Sequence, residues 1–148
     1  MIQPRRVLFL CTGNSARSQM AEAIVNARLG GEWQAQSAGT HPAGYVHPLA
    51  VRALAEIGVE HHGRSKSVDE MRDIQFDLVV TVCDSAAEAC PLWLGIGRRV
   101  HLGFPDPAMA PGADDDRMAA FRQVRDGMLQ SLPARLGGAT PATEPSFL

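Results

Sequence analysis

The sequence predicts an α/β fold: one domain built on an open four-stranded parallel sheet with helices on both faces. Three observations carry this. Short, nearly continuous apolar runs recur, as in strands buried on both sides. Segments with helical apolar spacing alternate with them. Gly and Pro punctuate the joins. A chain of 148 residues is the size of a single domain and can bury one sizeable core.

The elements follow in order. Residues 5–11 (RRVLFLC) read as a buried parallel strand. A polar loop follows. Between residues 16 and 29, Met20, Ala23, Ile24 and Ala27 fall at helical spacing, and Gly30-Gly31 stop the helix. Residues 33–38 read as a second strand and 39–44 as turn. His47-Pro48 opens a helix carrying Leu49, Val51, Leu54 and Ile57, which Gly58 closes. Residues 59–67 are polar and loop-like, and 68–72 suggest a short helix. Residues 76–82 (FDLVVTV) are β-branched and form the clearest strand. A fourth strand is expected over 98–102, then a Pro-rich loop over 103–112. A last helix spans 114–132, with Met118, Phe121, Val124, Met128 and Leu129 on one face and Asp114-Asp115-Asp116 as helix-start charge. The domain is expected over residues 1–134, with a disordered tail over 135–148.

Composition excludes several classes. The net charge is −2, which gives no electrostatic reason to expect nucleic acid. No apolar stretch approaches the roughly 18 residues of a membrane span, and the N-terminus lacks the features of a signal peptide. A cytoplasmic monomer is the expectation. The three cysteines, at 11, 83 and 90, are an odd count, whereas a secreted disulfide framework usually has an even count in a shorter chain. They form no C-x-x-C pair and have no His at zinc spacing.

In an open parallel sheet, ligands bind beyond the carboxyl ends of the strands. Cys11 ends the first strand and Cys83 directly follows the 76–82 strand. If right-handed crossovers make those strands neighbours, both sulfurs reach the ligand-binding edge.

Residues 11–18, CTGNSARS, join the first strand to the first helix. Small polar residues in such a join make an anion cradle from backbone N–H groups and the helix N-terminus. The oxyanion-binding set is Thr12, Gly13, Asn14, Ser15, Ala16 and Arg17. Gly13 lets the backbone curve, and Asn14 tolerates a left-handed conformation and can tie the loop through its side chain. The loop is not a Walker A motif, because it lacks G-K-[ST]. Arg17 can present a bidentate fork to a tetrahedral oxyanion. The field that holds an anion also stabilises a thiolate at Cys11, and Ser18 can donate a hydrogen bond to the sulfur. The plainer alternative is a phosphate-binding turn with a merely buried cysteine; Cys11, Arg17 and Ser18 together favour a nucleophile.

The C-x5-R-S loop from Cys11 to Ser18 resembles that of the low-molecular-weight tyrosine phosphatase fold. The longer string CTGNSARSQMAEA resembles the thioredoxin-coupled arsenate reductases built on that fold. The resemblance continues through SAGT at 37–40, VVTVC at 79–83, ACP at 89–91 and GFPDPA at 103–108, covering residues 5 to about 132. It implies a reduction of arsenate to arsenite.

Displacing an oxygen needs a proton donor. Asp106, in an Asp-Pro pair after a strand, can face the crevice, although Asp-Pro is also a common turn. The resemblance implies that Asp106 is the general acid. Cys83 and Cys90 are seven residues apart among good helix formers. A helix separates such positions by about 10.5 Å, whereas a disulfide needs Cα atoms within about 7 Å. The segment is therefore either a redox switch that must unwind to oxidise or a pair of inert core cysteines. The resemblance implies a relay. Cys11 attacks arsenic, Cys83 attacks Cys11 as arsenite leaves, Cys90 takes over the disulfide, and thioredoxin reduces it. No metal or organic cofactor is needed for that chemistry. The electron donor stays open, since other relatives use glutaredoxin or small thiols.

The chain departs from the family pattern in places. Position 16 is Ala, where relatives often carry a second loop cysteine, so oxidised Cys11 has to resolve elsewhere. Some family members hold potassium through an Asn, a Glu, a Ser and an Asp. Asn14, Glu22 and Ser37 match. The Asp position falls near Lys66 or Ser67, which puts the ion in question and offers a lysine charge instead. Two rival readings are a tyrosine phosphatase and a non-enzymatic oxyanion or redox sensor. The first wants aromatic walls, for which Tyr45, Trp33 and Trp93 are available, but Ala108 follows Asp106-Pro107 where phosphatases tend to have an aromatic. The second would need neither Asp106 nor a relay. His61-His62 reads as a solvated loop pair.

Overall fold

The computed structural model describes residues 3–84 and 97–136. Its elements are β1 (Arg5–Cys11), α1 (Arg17–Arg28), β2 (Trp33–Gly39), α2 (Pro48–Ala55), a 3-10 turn (Val68–Met71), β3 (Leu78–Thr81), β4 (Arg98–His101), a second 3-10 turn (Pro107–Met109) and α3 (Asp114–Leu136). The four strands form one parallel sheet in the order β2-β1-β3-β4. This is the expected α/β architecture.

β1 is apolar without alternation because both of its faces are covered. Val7, Phe9 and Cys11 pack with α1, α2 and α3, among them Met20, Ile24, Leu54, Phe121 and Met128. Leu8 and Leu10 point the other way, into a smaller cluster with Val68, Met71, Phe76 and Val79. The first 3-10 turn thus covers the second face. Each such large side chain stabilises by about 1.5–3 kcal/mol when fully buried.

Register decides what meets at the carboxyl edge. Cys11 lies opposite Gly39 on β2, and Leu10 lies opposite Thr81 on β3. The ladder runs on past β3, since Val82 N–H donates to the Leu10 carbonyl at 2.9 Å and Phe104 N–H to that of Val82 at 3.1 Å. The stretches after β1, β3 and β4 therefore converge on one end of the sheet, as the neighbouring of Cys11 and Cys83 requires.

α3 runs past the expected Leu132, and past the expected domain limit at 134, to Leu136. Pro133 removes one helical hydrogen bond. Leu132 and Leu136, four residues apart on one face, are both buried, and their packing carries the helix on. The rest of the expected tail, residues 137–148, lies outside the described residues. Among the described residues no helix is long and apolar enough to cross a membrane.

An ion cluster ties α3 to the end of α2. Glu56 accepts from Arg122 Nη2 at 2.7 Å and from Arg125 Nη1 at 2.7 Å. These two guanidinium groups hold its carboxyl at about 2. The depressed value makes the carboxylate's contribution fully present above the unfolded carboxylate range and lost as pH falls toward about 2. Glu56→Gln is accordingly expected to lower Tm at pH 7. The deficit relative to wild type should shrink steadily in melts at pH 4 and pH 3.

Candidate active site

The loop after β1 is held from outside by its carbonyl groups. The Thr12 carbonyl accepts from His41 N–H at 2.9 Å, that of Gly13 from Ala43 N–H at 2.8 Å, and that of Ser15 from His47 N–H at 2.8 Å. The Asn14 carbonyl accepts from Gln19 Nε2 at 3.2 Å. In a planar trans peptide the next residue's N–H points opposite to the carbonyl. Four outward carbonyls therefore turn the N–H groups of Gly13, Asn14, Ser15 and Ala16 inward. That of Asn14 donates to Cys11 Sγ at 3.2 Å. Asn14 makes the bend at φ 48°, the left-handed conformation expected of it.

Cys11 is buried at the base of this cradle and is a free thiol. Its sulfur lies 2.8 Å from Ser18 Oγ. Asn14 Nδ2 donates to that same oxygen at 2.7 Å, so the hydroxyl proton is left to point at sulfur. The sulfur thus takes two hydrogen bonds, one from the Asn14 backbone N–H and one from the Ser18 hydroxyl.

Arg17, the first residue of α1, is buried and donates from Nη1 to the Phe104 carbonyl at 3.2 Å. Its Nη2 lies 3.7 Å from Asp106 Oδ2. The loop after β4 thus brings Asp106 to the arginine. The other Asp106 oxygen, Oδ1, accepts from Ala108 N–H at 3.0 Å. Asp106 therefore forms the turn with one carboxylate oxygen and lies beside Arg17 with the other.

The potassium set behind the loop is occupied by the chain's own groups. Ser37 Oγ donates to Glu22 Oε1 at 2.6 Å, and Lys66 Nζ lies 3.8 Å from that oxygen. Asn14 Oδ1 already accepts from Lys66 N–H at 2.9 Å and Gln19 Nε2 at 3.0 Å. The donor oxygens are engaged and Lys66 supplies the positive charge, so these residues do not fit a potassium ion. Burial pushes the Lys66 ammonium below its ordinary range while Glu22 pulls it back up. Among the described residues no three His, Cys, Asp or Glu side chains could hold a metal ion.

Cys83 is fully buried in the main core cluster and is disulfide-bonded. Cys90 and Trp93 lie outside the described residues, and with them the geometry of the expected switch. Tyr45 is exposed, two residues before the His47 that grips the loop.

Three further residues shape the site, though the sequence assigns them no role there. Gln19, in the first turn of α1, is fully buried against the loop. His61, expected in solvent, is instead half-buried, with Nε2 2.7 Å from Gln19 Oε1. Its surroundings push the imidazole down, burial first. Only His62 fits the solvated reading. Gly39 is the third. A Cβ there would stand 2.4 Å from the Thr12 carbonyl oxygen and 3.0 Å from Asn14 N. Gly39→Ala must push the loop off its seat. It is expected to reduce kcat/KM for the site's reaction by about 100-fold through misplacement of the nucleophile, with destabilisation of about 1–3 kcal/mol in urea melts.

Comparison with known proteins agrees with this geometry. Residues 6–136 match the family described as low molecular weight phosphotyrosine protein phosphatase. A protein of Halalkalibacterium halodurans named arsenate reductase is 48% identical over 121 residues, covering 81% of this chain and 86% of its own. The crystal structure of an arsenate reductase from Archaeoglobus fulgidus superposes with a TM-score of 0.71 at 33% identity, over 88% of this chain and 98% of that one. A thioredoxin-dependent arsenate reductase of Corynebacterium glutamicum superposes with a TM-score of 0.57 at 25% identity, over 89% of this chain and 63% of that one. With its cysteine cradle, its buried arginine and its aspartate loop, the chain belongs to the low molecular weight phosphotyrosine protein phosphatase family.

Proposed function

We propose that this protein is an arsenate reductase that works through a three-thiol relay. The observation that carries the proposal is a free Cys11 at the base of an amide-lined cradle, at the strand end next to that of Cys83. The names of its relatives in Halalkalibacterium halodurans and Archaeoglobus fulgidus support the substrate. The disulfide-bonded state of Cys83 beside a free Cys11 supports thiol–disulfide chemistry at this edge.

Arsenate binds with its oxygens on the inward N–H groups and on Arg17, which lets go of Asp106 to make its fork. The Cys11 thiolate attacks arsenic, an As–S bond forms, and Asp106 protonates the departing oxygen so that water leaves. The Cys83 thiolate attacks the Cys11 sulfur. The As–S electron pair stays on arsenic, arsenite leaves, and a Cys11–Cys83 disulfide remains. Cys90 attacks Cys83, frees the Cys11 thiolate and forms Cys83–Cys90. A dithiol of the thioredoxin type reduces that bond, supplying the two electrons that arsenic received; the Corynebacterium glutamicum relative supports this donor class.

A weak phosphatase activity is the second reading, favoured by the exposed Tyr45 beside the loop and by the family match. The same cradle and acid would serve a phosphate ester.

Arsenate-dependent NADPH oxidation, with thioredoxin and thioredoxin reductase, tests the proposal. Wild type is expected to turn over, Cys90→Ser to stop after one cycle, and Asp106→Ala to lose about 100-fold or more in kcat. Brisk hydrolysis of para-nitrophenyl phosphate by wild type and Cys90→Ser alike, without arsenate turnover, would make it a phosphatase. Oxyanion binding without either turnover would make it a sensor. Because Lys66 stands in the cation position, replacing sodium by potassium at constant ionic strength is expected to leave kcat and KM unchanged.

A further inference from the structure

Behind Cys11, a line of hydrogen bonds runs to a half-buried histidine 50 residues further along the chain. The direction of every link is fixed. Gln19 Nε2 lies 3.2 Å from the Asn14 carbonyl and 2.9 Å from the Arg64 carbonyl. Both are acceptors only, so the amide nitrogen must face them, and Gln19 Oε1 must face away. That oxygen meets His61 Nε2 at 2.7 Å and can only accept, so His61 donates. At the other end, Lys66 N–H donates to Asn14 Oδ1, which turns Asn14 Nδ2 onto Ser18 Oγ and the Ser18 proton onto Cys11 Sγ. Donation therefore passes one way, from His61 through Gln19, Asn14 and Ser18 to the sulfur.

A glycine reserves the space for the first link. A Cβ at Gly63 would stand 2.3 Å from Gln19 Oε1 and 2.3 Å from His61 Nε2. Both are side-chain ends, so the contact between them is what a larger residue would displace. Gln19, Asn14 and Ser18 are fully buried, so water cannot replace a lost donor cheaply.

We infer that His61 is a positioning residue for the Cys11 nucleophile, acting by holding the Gln19 amide that orients Asn14 and, through it, the Ser18 hydroxyl. This rests on Cys11 being the nucleophile. Without the His61 proton, Gln19 Oε1 is a buried acceptor with no donor. The amide cannot turn over to compensate, because its nitrogen would leave two carbonyls unpaired. The side chain must shift, and the donor on sulfur loosens with it.

The experiment is alkylation of the full-length protein by iodoacetamide, followed on the Cys11 peptide by mass spectrometry at pH 6 and pH 9. His61→Leu and Gly63→Ala are expected to slow Cys11 labelling at pH 6 by roughly three- to tenfold. At pH 9 the hydrogen-bonded advantage no longer matters, and both should label like wild type. His61→Gln, whose amide nitrogen reaches a similar position, should restore the pH 6 rate. Circular dichroism melts identify any variant that does not fold, and Gly63→Ala then carries the test with the His61 side chain retained. Equal pH 6 rates in wild type, His61→Leu and Gly63→Ala would overturn the inference. Equal slowing at both pH values, or failure of His61→Gln to restore the rate, would reduce His61 to a structural residue and overturn it as well. Wild-type Cys11 that does not label at pH 6 at all would instead sink the nucleophile reading on which this one rests.

Discussion

Everything at the site depends on where four peptide carbonyls point. A loop of six residues cannot aim its N–H groups inward by itself, because backbone amides seek partners wherever they find them. Here the carbonyls of Thr12, Gly13, Asn14 and Ser15 are drawn outward by His41, Ala43, Gln19 and His47. The opposite ends of those peptides then have no choice of direction. The cradle is the inside of a structure that is bonded on its outside, so the proposed oxyanion site is formed before any anion arrives. That preorganisation is what an electrostatic catalyst requires.

The same outer bonds recruit distant segments. The turn after β2 supplies His41 and Ala43, the N-cap of α2 supplies His47, and residues 61–66 supply the contacts behind Asn14 and Gln19. Gly39 matters because the turn must approach the loop at backbone distance. Arg17 joins the last partner, tying the cradle to the Phe104–Asp106 stretch. One loop thus holds together the carboxyl edge of the sheet, and Asp106 comes to it as part of that closure.

Local residues made much of this legible. The unbroken apolar run of β1, the left-handed Asn14, and Cys11, Ser18 and Arg17 at the helix entrance all announce themselves in eight residues of sequence. The strands were readable because parallel strands buried on both faces leave continuous apolar runs. The end of α3 was not, because Pro133 is a strong local stop that burial of Leu132 and Leu136 overrides. The back of the site was hidden for a different reason. Residues 59–67 have no periodicity, so nothing in the sequence says which side of that stretch faces inward. His61 and His62 are chemically identical neighbours, and only the path of an irregular loop turns one onto Gln19 and leaves the other in solvent. Lys66 was legible as a departure from a family pattern, but its contact with Glu22 needed the fold.

The central claim is that the inward N–H groups of the loop form a ready oxyanion site above Cys11. Amide chemical shifts of uniformly 15N-labelled protein, titrated with inorganic phosphate as a stable arsenate mimic, test it most directly. The account predicts one saturating set of shifts, largest at Gly13, Asn14, Ser15 and Ala16, with the Arg17 side chain moving along the same isotherm. Saturation with the largest shifts elsewhere, or no shift at those four amides, would contradict it.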